Sequence, residues 1–149
     1  MKRFLEEKLG FRKFSYSNLL VNGDSIVHFS KAEASTRKFI VKEINTEFFS
    51  VQNCSQPFIL IQLGSSDKFA LFSFEEVKDI FNVSIKAKNG RKRWEFLYTI
   101  IPSIGEDCAT LAVIRNINDK SEDQKIAQVP ILEKLDVGAI LGDYLGLAA

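Results

Sequence analysis

Residues 83–98 read VSIKAKNGRKRWEFLY, and this stretch decides how the middle of the chain folds. The pair Asn89-Gly90 stands between two runs of alternating residues. An Asn-Gly pair in that position is the strongest short-range signal of a β-hairpin, because both residues of the turn must adopt positive φ. We therefore predict a two-residue turn at Asn89-Gly90 that joins two antiparallel strands.

The two faces of the predicted hairpin differ in character. Side chains point alternately to opposite faces of a strand, so the register divides the residues into an apolar set and a basic set. The apolar face holds Val83, Ile85, Trp94, Phe96 and Tyr98. The basic face holds Lys86, Lys88, Arg91 and Arg93, with Lys86 opposite Arg93 and Lys88 opposite Arg91.

The basic face suggests an anionic partner. Like charges directly opposite each other on a sheet destabilise it by about 0.2–1 kcal/mol per pair. A polyanion across this face relieves the repulsion and releases counterions, and a two-stranded ribbon fits the major groove of B-DNA. The alternative is a solvated hairpin whose charges prevent edge-to-edge pairing with other sheets. We expect the four cations to form a binding surface for DNA or RNA.

Composition predicts a single cytoplasmic domain spanning residues 1–149. The chain has 46% apolar and 26% charged residues, as is usual for soluble globular proteins, and its 13 phenylalanines provide material for a substantial core. The cysteines Cys54 and Cys108 lack C-x-x-C spacing, and we expect both to be reduced. We see no secretory signal and no apolar run close to the roughly 20 residues that cross a membrane.

The first half of the chain predicts one helix and several strands. Residues 2–9 predict a short helix that ends at Gly10. Around Asn22-Gly23, a loop that pairs Val21 with Ile26 matches apolar with apolar residues, and we prefer it to a tighter turn. A polar loop is expected at 30–36. Strands are predicted at 37–44, at 58–63 with both faces covered, and at 68–72.

The second half predicts helices at capping signals and at the end of the chain. Ser73 opens a capping box and a central helix that runs to about Phe81. A second capping box at Ser121 predicts a short helix that ends near Val129, before Pro130. Strands are expected at 98–101 and 110–117, and a loose helix at 131–147. Together these elements predict an α+β fold, with N-terminal, central and C-terminal helices and a mostly antiparallel sheet of about five to seven strands.

Residues 131–147 are the second candidate contact surface. Gly138, Gly142 and Gly146 recur every four residues in an apolar segment, and this spacing lets another backbone approach closely. Docking onto the protein's own core is one interpretation. The other is association with a second copy or a protein partner, which would make the protein an oligomer or a structural or inhibitory binding module.

Catalytic signatures are largely missing from the sequence. His28 is the single histidine, and no G-x-S-x-G nucleophile motif or glycine-rich phosphate loop accompanies it. His28, Cys54 and Cys108 are too few for a zinc site without carboxylates. We expect a structural or surface role for His28 and no cofactor.

A divergent metal-dependent nuclease of the restriction type is the enzyme alternative. Such sites combine an upstream acid with an acid-x-lysine motif on neighbouring strands, which together hold Mg²⁺ and activate water. Asp24, Lys42 and Glu43 are the candidates, although Lys42 precedes Glu43 and reverses the expected order. We therefore favour a non-catalytic nucleic-acid-binding protein over the nuclease.

Overall fold

Ten β-strands, two helices and one helical turn form the part of the chain that the structure describes. This structure, a computed structural model, describes residues 1–14, 19–23, 25–42, 56–64, 67–77, 86–88, 91–102, 110–116 and 126–146. The first half contains α1 (Lys2–Leu9), β1 (Arg12–Lys13), β2 (Leu19–Asn22), β3 (Ser25–Lys31), β4 (Lys38–Lys42), β5 (Gln56–Gln62) and β6 (Phe69–Ser73). The second half contains α2 (Phe74–Val77), β7 (Lys86–Lys88), β8 (Arg91–Pro102), β9 (Thr110–Asn116), β10 (Ile126–Leu132) and α3 (Lys134–Tyr144).

The strands form a continuous sheet in the order β1-β2-β3-β5-β6-β10-β9-β8-β4, with β7 also paired to β8. Every described pair is antiparallel except β3 with β5. Strand β10 joins two halves of this sheet, since its first part pairs with β9 and its last two residues pair with β6. The α+β class and the mostly antiparallel sheet are confirmed, but ten strands exceed the predicted five to seven.

Two apolar clusters hold these layers together. The first includes residues of β4, β5, β6 and β8, among them Phe39, Ile59, Ile61, Phe72, Phe96 and Tyr98. The second lies beneath the two helices and includes Leu5, Leu60, Phe69, Val137 and Leu141. Strand β5 contributes to both clusters, so the prediction of a strand covered on both faces is confirmed.

Helix α1 ends at one glycine, Gly10, and packs against another glycine, Gly138, in helix α3. Gly10 ends α1 at φ 74°, and its N–H donates to the carbonyl of Leu5, as the sequence predicted for this helix end. A Cβ atom added at Gly138 would lie 2.7 Å from the ring of Phe4. The glycine therefore allows close approach within this chain, which favours the core-docking interpretation of that position.

The β2–β3 hairpin follows the predicted register, with Val21 opposite Ile26. Asn22 at its turn also donates a 2.7 Å hydrogen bond to the carbonyl of Leu9, which ties the hairpin to the end of α1. The polar loop predicted at 30–36 begins later than expected, because β3 continues through Lys31.

One helix prediction was wrong, and another is matched only in part. Strand β10 occupies Ile126–Leu132, where the capping box at Ser121 predicted a helix to Val129. Val129 is buried and β10 pairs with strands on both sides, so tertiary pairing outweighs the local signal. The central helix predicted from Ser73 to about Phe81 is matched only at its start, by the single turn Phe74–Val77, so the predicted set of three full helices is not matched. Residues 78–81 lie outside the described residues.

The C-terminal helix is shorter than the predicted 131–147. It begins at Lys134, where Glu133 and Asp136 form a reciprocal capping box, and it ends at Tyr144. Residues Ile131 and Leu132 belong to β10 instead. In the described ranges, no helix combines the length and the apolar character needed to cross a membrane.

Candidate nucleic-acid interface

The predicted register of the basic hairpin is confirmed by the backbone pairing of β7 with β8. Lys86 pairs with Arg93, Ala87 with Lys92, and Lys88 with Arg91. The turn Asn89-Gly90 and residues 83–85 lie outside the described residues. Two pairs of basic residues therefore occupy directly opposed positions, as the sequence predicted.

The opposite face of β8 anchors the hairpin in the core. Trp94, Phe96 and Tyr98 are all buried, in agreement with the predicted apolar face. The ring of Phe96 stacks on that of Phe39 in β4, with 5.2 Å between centroids. Because residues of a strand alternate between faces, positions 91 and 93 belong to the face directed away from this cluster.

Strand β4 adds a third basic residue to the row formed by Lys86 and Arg93. Its residue Lys42 pairs with Arg93, which on its other side pairs with Lys86. Directly opposed residues share a face, so Lys42, Arg93 and Lys86 form a row across three adjacent strands. Sequence reasoning assigned Lys42 only to the nuclease alternative, because local pattern does not reveal which distant strand lies beside β8.

An acidic residue, Glu95, lies on the same face of β8 two positions further along. Its side chain is only 2% exposed and forms an ion pair with Lys38, whose Nζ lies 3.1 Å from the carboxylate. Lys38 lies in β4, diagonally across from Glu95. This face therefore holds, beside the row of basic residues, one acidic residue whose charge is balanced by Lys38.

His28 lies in the interior, in agreement with a structural role but not with a surface one. Its ring is fully buried, and burial lowers its pKa from 6.5 to about 4. Its Nδ1 lies 3.3 Å from the hydroxyl of Ser30, which donates a 3.5 Å hydrogen bond to the carbonyl of Ile40. These contacts link β3 to β4 through a side chain, at a place where the described backbone pairing does not join the two strands.

The structure tests little of the nuclease alternative. Asp24 and Glu43 lie outside the described residues, as do Cys54 and Cys108. Lys42 pairs with Arg93, a basic residue. In the described ranges, no group of three or more histidine, cysteine or acidic residues could hold a metal ion.

One side of the described part of the C-terminal segment, residues 131–146, packs against the protein's own fold. Gly138 faces Phe4 and Gly142 faces Leu9, both in α1. Some apolar side chains of α3 remain exposed, namely Leu135, Ile140 and Tyr144. Association of this segment with a second chain stays a hypothesis.

We also compared the chain with family models, curated proteins and solved structures, and no match was found in any of the three comparisons.

Proposed function

We propose that the protein binds nucleic acid, without catalysing a reaction on it, through the basic positions of the β7–β8 hairpin. These positions are Lys86, Lys88, Arg91 and Arg93. The observation that supports the proposal most is the register, which pairs Lys86 with Arg93 and Lys88 with Arg91.

Electrostatics gives this pairing a physical rationale. Two directly opposed pairs of like charge weaken the hairpin by about 0.2–1 kcal/mol each relative to neutral pairs. Phosphates laid between the cations change this repulsion into attraction and release condensed counterions. An arrangement that is unfavourable in the free protein therefore becomes favourable in the complex.

The anchoring of β8 also supports the proposal. The second strand of the hairpin is β8, and the same strand carries Trp94, Phe96 and Tyr98, which are buried in the core. A surface on a rigid element loses less conformational entropy on binding than a flexible tail does. An anchored strand of this kind supports a binding surface that does not need to be ordered on binding.

Titration of a labelled nucleic acid, followed by fluorescence anisotropy, tests this proposal. The double variant Lys86→Ala/Arg93→Ala should bind about 25-fold more weakly at about 0.1 M salt, because two phosphate contacts are lost. Lys92→Ala is the matched control, since this residue belongs to the same hairpin but occupies the alternate face.

Two results would argue against the proposal. One is the absence of binding to any nucleic acid by the wild-type protein. The other is an equal loss of affinity in Lys92→Ala and in the single variant Lys86→Ala, which remove the same charge, since this would show a response to net charge alone. Incubation of plasmid with Mg²⁺ separately tests the non-catalytic part, and we expect no nicking.

A further inference from the structure

The strand register extends the basic surface beyond the hairpin. Lys42 of β4 and Lys86 of β7 both pair with Arg93 of β8. A strand has two edges, so β4 and β7 must lie on opposite sides of β8. The three basic residues form one line that runs across the strands, roughly perpendicular to them.

The dimensions of this three-stranded surface argue against entry into a duplex groove. Adjacent strands lie about 4.8 Å apart, so the backbones of β4 and β7 are separated by about 10 Å. Three strands of this spacing are together about 15 Å wide, whereas the major groove of B-DNA is about 12 Å wide. Of the two pairs of basic residues in the hairpin, only Lys88 with Arg91 lies beyond the last described pair of β4 with β8.

The aromatic residues of β8 indicate how a single strand would be held. Proteins that bind single strands commonly stack bases on exposed aromatic rings. Trp94, Phe96 and Tyr98 are buried on the other face of β8 and cannot serve as such a platform. Recognition at this surface therefore depends on the phosphates and should show little preference for base sequence.

We propose that the ligand is a single-stranded nucleic acid whose backbone crosses β4, β8 and β7, with Lys42, Arg93 and Lys86 as successive phosphate contacts. This inference rests on the function proposed above and adds the ligand class and a residue from a distant strand. Lys42 distinguishes this inference from duplex binding, because a duplex whose groove holds only the β7–β8 hairpin would not contact β4.

Binding to a labelled single strand and to a duplex of the same sequence tests the inference. Each ligand should have about 20 nucleotides or base pairs, longer than the roughly 4–16 nucleotides that one small module covers. The wild-type protein should bind the single strand more tightly. Lys42→Ala should weaken that binding about fivefold at about 0.1 M salt, since one phosphate contact is lost.

Two further variants make the result specific. Lys42→Arg keeps the charge and should keep the affinity within about twofold of wild type. Lys8→Ala removes an exposed lysine on α1 with the same change in net charge, and it should also stay within that range. Thermal melting followed by circular dichroism should show that all three variants remain folded.

The outcomes separate this inference from the proposed function. If Lys86→Ala weakens binding while Lys42→Ala does not, the hairpin alone binds and the extension to β4 is refuted. Tighter binding of the duplex would also refute it. If the wild-type protein binds neither ligand, the proposed function itself fails.

Discussion

Strands β5 and β8 show two different ways in which this protein uses a strand. In β5, Phe58, Ile59, Leu60 and Ile61 are all buried, and the two faces contact different apolar clusters. In β8, the buried residues Trp94, Phe96 and Tyr98 alternate with positions 91, 93 and 95, which carry charge. The difference teaches that β5 is buried and apolar on both faces, whereas β8 combines a buried apolar face with a face of charged positions, to which the proposed function assigns the phosphate contacts.

Replacement of a buried side chain of β5 by alanine should give the largest effect on the free energy of unfolding. Leu60→Ala removes a fully buried side chain from the cluster beneath the helices and should lower the free energy of unfolding by about 2–5 kcal/mol. Urea denaturation measures the change. By contrast, Lys86→Ala should stay within about 0.5 kcal/mol of wild type. Similar losses in both variants would contradict the division of roles between β5 and β8.

Protonation of His28 should give the next largest effect. Its pKa is lowered by burial from 6.5 to about 4, so the unfolded chain takes up the proton first as the pH falls. The free energy of unfolding should therefore decrease between pH 6.5 and pH 4 and level off below, by roughly 3 kcal/mol in total. The difference between wild type and His28→Gln, measured by denaturation across this range, isolates the histidine from the carboxylates. A difference that is independent of pH would show that His28 does not titrate this way.

Breaking the ion pair between Lys38 and Glu95, on the same face of β8 as Arg93, should have a smaller effect. Lys38→Met leaves the buried carboxylate of Glu95 without this partner and should cost about 2 kcal/mol, reduced from the fully buried case because Lys38 is 34% exposed. The matched control is Lys68→Met, which removes the ion pair with Glu133 and should cost much less, because both of its side chains are exposed to solvent. If Lys38→Met and Lys68→Met lower the free energy of unfolding equally in urea denaturation, the burial of Glu95 does not strengthen its ion pair.

The contact between α1 and α3 should give the smallest effect on the free energy of unfolding. The sign of the effect of Gly138→Ala should depend on whether the ring of Phe4 is present. Gly138→Ala gains about 1 kcal/mol of helix propensity but places its Cβ against the ring of Phe4, so we expect a net loss of about 1 kcal/mol. In a Phe4→Ala background, the same substitution should stabilise the protein by about 1 kcal/mol. An additive double-mutant cycle would contradict the proposed close approach.

Signals within short stretches of sequence correctly predicted two strand registers and the end of one helix. The Asn-Gly pair at 89–90 predicted the register of β7 with β8, and matching of apolar residues predicted that of β2 with β3. The end of α1 at Gly10 was also predictable, because glycine adopts the positive φ that this helix end requires.

Contacts between distant segments could not be predicted in the same way. The capping box at Ser121 indicated a helix, yet the residues that follow pair with β6 and β9 as strand β10. Lys42 and Arg93 lie far apart in sequence, and nothing in either segment specifies the other as a partner. The burial of His28 likewise depends on β4 folding beside β3, which the alternation of β3 alone does not reveal.

The salt dependence of nucleic-acid binding tests the central claim most directly. The slope of log K against log salt concentration should be negative for the wild-type protein, and in Lys86→Ala/Arg93→Ala it should be shallower by about 1.4 for a single strand. A wild-type slope near zero, or a slope that the double variant leaves unchanged, would contradict the claim that these opposed cations bind phosphates.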